Sequence, residues 1–176
     1  MKKYELTTDT KMVLGRKLFR IKALVSFGNV KIGDLGGYIE KEENLSQEGN
    51  AWVSGNAEVS GNAKVSGNTW VSGNAKVSGN AWVSGNTWVS GNAEVSGNAK
   101  VSGNADYATA QGFGSVYRVT TFFREKTGEV GVKCGCFYGT LAEFRKKVKE
   151  THGDSKKAKE YLMLADLMEY RFSDDE

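Results

Sequence analysis

Few residues of this 176-residue chain have the type and spacing to do chemistry. The one histidine, His152, is of the residue type that serves as a general base, but its surroundings read as the last turn of a helix, where an imidazole ordinarily meets the negative end of the helix dipole. Cys134-Gly135-Cys136 offers two thiols. A C-x-C pair without a second pair or a nearby histidine is poor for zinc, and on an alternating strand both cysteines fit as small core hydrophobes beside Val130 and Val132. Asp106 and the Glu40, Glu42, Glu43 cluster supply carboxylates, yet nothing fixes a partner for acid–base work. Gly33-Asp34-Leu35-Gly36-Gly37 lacks the Lys-Ser/Thr and the helix of a phosphate loop and reads as tight corners. Arg145, Lys146, Lys147, Lys149, Lys156, Lys157 and Lys159 interleave with Glu143, Glu150 and Glu160, the pattern of a solvated helical face. The expectation is therefore no catalytic residue, no metal and no cofactor. What stands out instead is aromatic: Trp52, Trp70, Trp82 and Trp88.

Charge and composition narrow the partners. The net charge is +3, with 9 basic and 7 acidic residues over 1–49, 3 and 2 over 50–105, and 12 and 12 thereafter. No segment has the basic excess that binding a phosphate backbone requires, so nucleic acid is not an expected partner. No apolar run approaches 18 residues, and the first five residues lack the apolar core of a secretion signal, so no membrane partner is expected. Two cysteines without a disulfide framework fit a reducing, cytoplasmic compartment.

The tryptophans sit in a repeat. From Asn50 to Ala105 the hexapeptide Val-Ser-Gly-Asn-Ala/Thr-x recurs nine times without insertion, with valines at 53, 59, 65, 71, 77, 83, 89, 95 and 101. Side chains alternate along an extended segment, so Ala57 and Val59 share an inward face while Glu58 points out. Ser-Gly-Asn then makes a corner, for Gly and Asn tolerate positive φ. The outward position reads Trp52, Glu58, Lys64, Trp70, Lys76, Trp82, Trp88, Glu94, Lys100, and Trp recurs every 18 residues at 52, 70 and 88. Three hexads thus make one coil of a three-sided solenoid. Its first face carries Trp52, Trp70 and Trp88, its second Glu58, Lys76 and Glu94, and its third Lys64, Trp82 and Lys100. Opposite charges meet on the second face, and Trp82 lies between two lysines on the third. Such exposed pairs are worth about 0–1 kcal/mol each, enough to set register rather than stability.

The flanks read as caps. Met12-Val13-Leu14 and Leu18 to Leu24, joined by Gly15-Arg16, form an N-terminal β-hairpin that closes the coil, since an unpaired edge invites further stacking. An irregular first coil follows, with an inserted corner loop near 40–44. Beyond Ala105 the period dissolves. Val116–Arg124 and Glu129–Tyr138 form a second hairpin about the turn at 125–128, and Thr140-Leu141-Ala142-Glu143 is a capping box that opens a helix with a Leu141, Phe144, Val148 stripe. Gly153 ends it, and a second helix buries Ala158, Leu162, Ala165, Met168 and Phe172, leaving Met163, Leu164 and Leu167 partly off that seam. The chain divides into a β cap over 1–29, a β-helix over 30–106 (irregular coil 30–49, regular hexads 50–105) and a unit of one β-hairpin and two helices over 115–176.

Val53-Ser54-Gly55-Asn56-Ala57-Glu58 resembles the hexapeptide repeat of the left-handed parallel β-helix family, with Ser where Gly or Ala is commoner. The left hand is implied by this resemblance, as is a parallel trimer, for which the first face is a reasonable seam. The family's precedent for activity is acyl transfer by a His at a subunit interface; His152 lies outside the repeat, and the three-histidine zinc class is excluded by a single histidine. Ice binding would need outward threonines, whereas Thr69 and Thr87 point in. Gly33-Asp34-Leu35-Gly36-Gly37-Tyr38, Asn44 to Asn50 and Cys134-Gly135-Cys136-Phe137 look like the flanks of small hexapeptide-repeat proteins of phage and gut bacteria. That likeness implies an origin and, as a target, a host defence component. The expectation is a mainly β, non-enzymatic binding scaffold, homo-oligomeric and with a protein partner, that binds through Trp52, Trp70, Trp88, Trp82, Lys64 and Lys100. An acyltransferase-like enzyme with its site between subunits is the alternative.

Overall fold

Alternation in Leu18 to Ala23 sets the first sheet. The structure is a computed structural model and describes residues 1–173, so the last three residues of the unit expected over 115–176 lie outside it. β1 (Tyr4–Val13) and β2 (Arg16–Ala23) form an antiparallel hairpin. Its turn is Leu14-Gly15 rather than Gly15-Arg16, with φ of 49° and 77°, the two positive values a two-residue hairpin turn needs. β3 (Leu35–Ile39) pairs antiparallel with β2 and parallel with the solenoid. The hairpin therefore continues one face of the coil past its first turn, and the lid over the core is made by Tyr4, Ile21, Ala23, Phe27 and Val30, which join the solenoid's apolar cluster.

The hexads fold as their alternation requires. β4 to β12 are Trp52–Val53, Glu58–Val59, Lys64–Val65, Trp70–Val71, Lys76–Val77, Trp82–Val83, Trp88–Val89, Glu94–Val95 and Lys100–Val101. They stack into three parallel sheets, β4-β7-β10, β6-β9-β12 and β3-β5-β8-β11. Every pairing between hexads joins residues 18 apart. All nine valines are buried, each worth about 1.5–3 kcal/mol, so the core outweighs any surface pair on the faces. The corner is divided between two residues: Gly takes the positive φ, near 62–70° from Gly55 to Gly97, while Gly103 after the last strand is extended at −164°. Asn instead uses its side chain. Asn50, Asn68 and Asn86 pass one amide hydrogen bond from coil to coil at 3.2 and 2.9 Å, as do Asn56, Asn74 and Asn92 at 3.4 and 3.2 Å.

The first coil is irregular in a different place from the one expected. Ile39 pairs with Val59 and Leu45 bridges Val65, offsets of 20 rather than 18, so the stretch from 39 to 45 keeps the normal six-residue step. By Asn50, whose N–H bonds the Gly67 carbonyl, the regular offset is restored. The two extra residues thus lie in 46–50. The segment near 40–44 is one 3-10 turn, Glu42–Asn44, and the buried Asn44 amide donates to the Gly61 and Ala63 carbonyls at 3.1 and 2.9 Å. Gly36 and Gly37 are not corners but close approaches, for a Cβ on either would lie 2.6 Å from a carbonyl oxygen of Val53 or Ala57.

The C-terminal unit is larger than one hairpin. β13 (Tyr107–Ala110), β14 (Thr120–Arg124), β15 (Val130–Cys134) and β16 (Phe137–Thr140) make a four-stranded antiparallel sheet. The run expected as one strand over 129–138 breaks at Gly135, whose φ of 60° turns the chain. Cys136 is consequently exposed at the turn and does not share the core face with the half-buried Cys134. α1 (Leu141–His152) opens on the Thr140/Glu143 capping box and buries Leu141, Phe144 and Val148. α2 (Lys156–Phe172), capped by Ser155, buries Tyr161 and Leu164 in addition to Ala158, Ala165, Met168 and Phe172, while Leu162 is only partly buried.

Candidate interaction surface

Each outward residue falls on the face its phase requires, but the caps change what it does there. Trp52, Trp70 and Trp88 pair in register, yet Trp52 is 2% exposed. Its indole is covered by the N-terminal cap, with Tyr4 and Phe27 edge-on at ring-centroid distances of 6.4 and 5.5 Å. Trp52 is therefore core, and the exposed part of the first face is the half-buried Trp70 and Trp88, the latter 66% exposed. The second face keeps its order Glu58, Lys76, Glu94, but its ion pairs run to the caps: Lys11 reaches Glu58 at 2.7 Å and Lys133 reaches Glu94 at 3.8 Å. On the third face, Lys64 lies 5.9 Å from the Trp82 ring and Lys126, from the turn between β14 and β15, lies 4.5 Å from it. Lys126 takes the place expected for Lys100, which is exposed on the same face.

A run of neighbouring clefts, here called the groove, leads off the first face. Trp70 and Trp88 line a cleft of about 480 Å³ with Gly28, Asn29, Asn50, Asn68 and Ser72, a lining with no charged group. Trp88 also lines the next cleft, with Ser90, Asn104, Tyr107 and Ala108. Ala108 in turn lines a third, with Leu167, Met168, Tyr170 and Arg171 of α2. These shared residues join the solenoid's aromatic face to a helix stripe of Met163, Leu167 and Tyr170, exposed by 71, 56 and 81%. Sequence reasoning had Met163 and Leu167 off the buried seam; it missed Tyr107 and Tyr170, because nothing in the repeat shows where β13 and α2 lie.

The edge beneath this groove is closed by side chains. β10 is the last strand of its sheet. Asn104 Oδ1 accepts the Trp88 N–H at 2.9 Å, and the Tyr107 hydroxyl donates to the Trp88 carbonyl. Burial raises the Tyr107 pKa, which keeps that hydroxyl a donor. Capping an edge in this way blocks strand-on-strand growth while leaving the indole open.

The remaining chemical candidates are absorbed into structure. Asp106 accepts the Ser102 N–H at 2.8 Å and faces Arg124 at 3.4 Å. Glu40 accepts the Gly61 N–H at 2.6 Å, which with Arg16 holds its carboxyl below the usual range. Glu42 pairs with Lys2. Arg145 bridges α1 to α2 through Asp166 and Glu169, both at 2.8 Å. His152 lies in the last turn of α1, its ring stacked 5.9 Å from that of Tyr161. Among the described residues no group of three or more His, Cys, Asp or Glu is placed to hold a metal, and no helix is long and apolar enough to cross a membrane.

Residues 75–91 match the family model described as the YdcK Beta solenoid repeat. No curated protein matches the chain. With an 18-residue coil on all three faces, that match identifies the hexads as parallel β-solenoid repeats.

Proposed function

We propose that the chain is a non-enzymatic binding scaffold whose contact surface is the groove from Trp70 and Trp88 to Leu167 and Tyr170. The observation that carries this reading is the adjacency of three clefts: the first two share Trp88 and the second and third share Ala108, so exposed aromatic and apolar residues of the coil and of a helix lie along one run of clefts. Large exposed apolar strips on a folded chain mark protein contacts, and Trp and Tyr are the residues that dominate binding energy there. The strip is uncharged where it follows the solenoid, whereas Glu58 and Glu94 of the second face are engaged by the caps. A second copy of the chain is the first occupant, and the resemblance to β-helix trimers favours three copies about the first face. For a different partner, the likeness of the flanks to phage hexapeptide-repeat proteins favours a bacterial host protein, with a defence component as the specific case.

Light scattering on the purified chain tests this directly. The wild type is expected at a multiple of its 19.2 kDa mass. Trp88→Glu combined with Leu167→Glu is expected to weaken self-association by about 30-fold or more while far-UV circular dichroism stays unchanged. A wild type that remains monomeric, or a double variant that assembles as well as the wild type, removes the groove as a self-association surface.

A further inference from the structure

The C-terminal unit holds a further cavity that shares no lining residue with the groove. It measures about 280 Å³ and is lined by the loop residues Ser115 and Arg118, by Cys134, Cys136 and Phe137 at the β15–β16 turn, by Phe144, Lys147, Val148, Thr151 and His152 of α1, and by Tyr161 of α2. Its floor is aromatic. The Phe144 ring is 5.6 Å from Phe137 and 5.7 Å from Tyr161, and Phe144, Val148 and Tyr161 are 3–4% exposed. Its rim carries two cations, Arg118 and Lys147, with the His152 imidazole beside them, and no carboxylate of the described residues lines it. Neither Arg118 nor Lys147 has an ion pair among the described residues, although most other arginines of the chain do. Arg118 also lines the neighbouring cleft together with Glu94, whose carboxylate is paired with Lys133 at 3.8 Å.

Two close approaches position the loop that carries Arg118. A Cβ on Gly135 would fall 1.8 Å from Arg118 Nη1, so the guanidinium lies against the β15–β16 turn. A Cβ on Gly114 would fall 2.0 Å from the Tyr161 ring, so the loop is clamped onto α2, with its N–H bonding Glu160 at 3.1 Å. Between these two points Tyr117 sits at a φ of 52°, a conformation a tyrosine rarely adopts. A cavity with an apolar floor, a few convergent polar groups at its mouth and a size at the lower end of ligand pockets is the form of a small-molecule site.

From this geometry we infer that the cavity binds a small aromatic acid, its ring against Phe137, Phe144 and Tyr161 and its anionic group, carboxylate or phosphate, on Arg118, Lys147 and His152. A planar guanidinium and an ammonium that lack internal partners gain charge-assisted hydrogen bonds from either anion. The aromatic floor supplies the affinity that an ion alone would not find at a rim open to water.

Titration of the isotope-labelled full chain with phenyl phosphate, followed by amide chemical shifts, tests the inference. Benzoate serves as the carboxylate arm; inorganic phosphate and benzyl alcohol serve as the two separated halves. Saturable shifts confined to residues 114–118, 134–137 and 144–152 are expected with phenyl phosphate or benzoate, and whichever binds tighter names the acid. Each half alone should bind at least about tenfold more weakly, since a charged hydrogen bond or a ring contact is then missing. Arg118→Gln should weaken binding by about tenfold or more. Thr151→Phe, at an exposed position on the rim, should do so by filling the mouth without removing a charge. The inference is overturned if neither acid gives saturable shifts, if the shifts spread over the lysines of α2, if inorganic phosphate binds as tightly as phenyl phosphate, or if both variants bind as the wild type does.

Discussion

Lys3 carries a charge into the apolar end of the coil. It is 4% exposed, with its ammonium donating to the carbonyls of Ala51 at 2.9 Å and of Glu48 and Gly49 at 3.4 Å, above the Phe27 ring. Burial lowers its pKa from 10.5 to about 8. Between those values the unfolded chain holds a proton that the folded chain has released, so stability rises with pH through that window and the cost of burial is fully present below it. Chemical denaturation of wild type and Lys3→Met from pH about 7 to about 9.5 should show the wild type gaining on the variant as pH rises. A pH-independent difference would show that Lys3 keeps its ordinary pKa. Two threonines give a second comparison. Thr69 and Thr87 both point inward as their phase requires, but Thr87 donates to the Ser84 carbonyl at 2.7 Å while the Thr69 hydroxyl has no partner. Thr69→Val should stabilise by about 1 kcal/mol and Thr87→Val destabilise by about the same, measured by thermal melts. Inward pointing was legible from the hexad. Which hydroxyl finds an acceptor was not, since the two hexads are identical in sequence.

At the level of the element, the hexad was almost wholly legible, because strict repetition leaves one phase for the core and one for the surface. The corner glycines can be separated into two effects. Gly79 and Gly91 share a φ of 66°, but a Cβ on Gly79 would lie 2.9 Å from the Gly97 nitrogen, while one on Gly91 meets nothing within 4 Å. Gly91→Ala should cost about 1–2 kcal/mol for the left-handed conformation alone. Gly79→Ala should cost at least about 1 kcal/mol more, because backbone cannot retreat as a side chain would. Equal losses in urea titrations would mean that the coils yield. The capping box of α1 was equally plain. What the sequence hid were the places where elements meet: the two-residue slip at 46–50, the break at Gly135, and the burial of Trp52, which depends on Tyr4 from β1 and Phe27 from the loop after β2. The Trp70–Trp88 half of the proposed surface came from periodicity; the α2 half needed the tertiary fold.

For the molecule as a whole, β14 is the wall between two cores. Phe123 packs with the solenoid and Phe122 with the helices, as neighbours on a strand must when both sides are apolar. Thr121 on the same strand accepts the Glu94 N–H at 3.0 Å, Glu125 bridges Ala99, and the Tyr138 hydroxyl accepts the Asn98 N–H at 3.3 Å. The top coil is thus closed by an antiparallel strand laid across it. Each phenylalanine should cost about 3–5 kcal/mol on truncation, but in different places. Phe123→Ala should speed amide exchange over 94–101 and leave α1 and α2 protected, and Phe122→Ala should do the reverse. Loss of protection in both regions from either variant would mean one cooperative core.

The wall also sets an order of events on the ribosome. All nine hexads emerge before Thr121 and Phe123 do, so the newest coil has nothing above its Val95 and Val101 while the rest of the chain is being made. Asn104 and Tyr107 follow the last hexad at once and stop the Trp88 edge with side chains alone. The nascent solenoid is therefore plugged on its most aromatic face before its lid is synthesised, at the stage when a bare sheet edge would otherwise recruit a neighbouring chain.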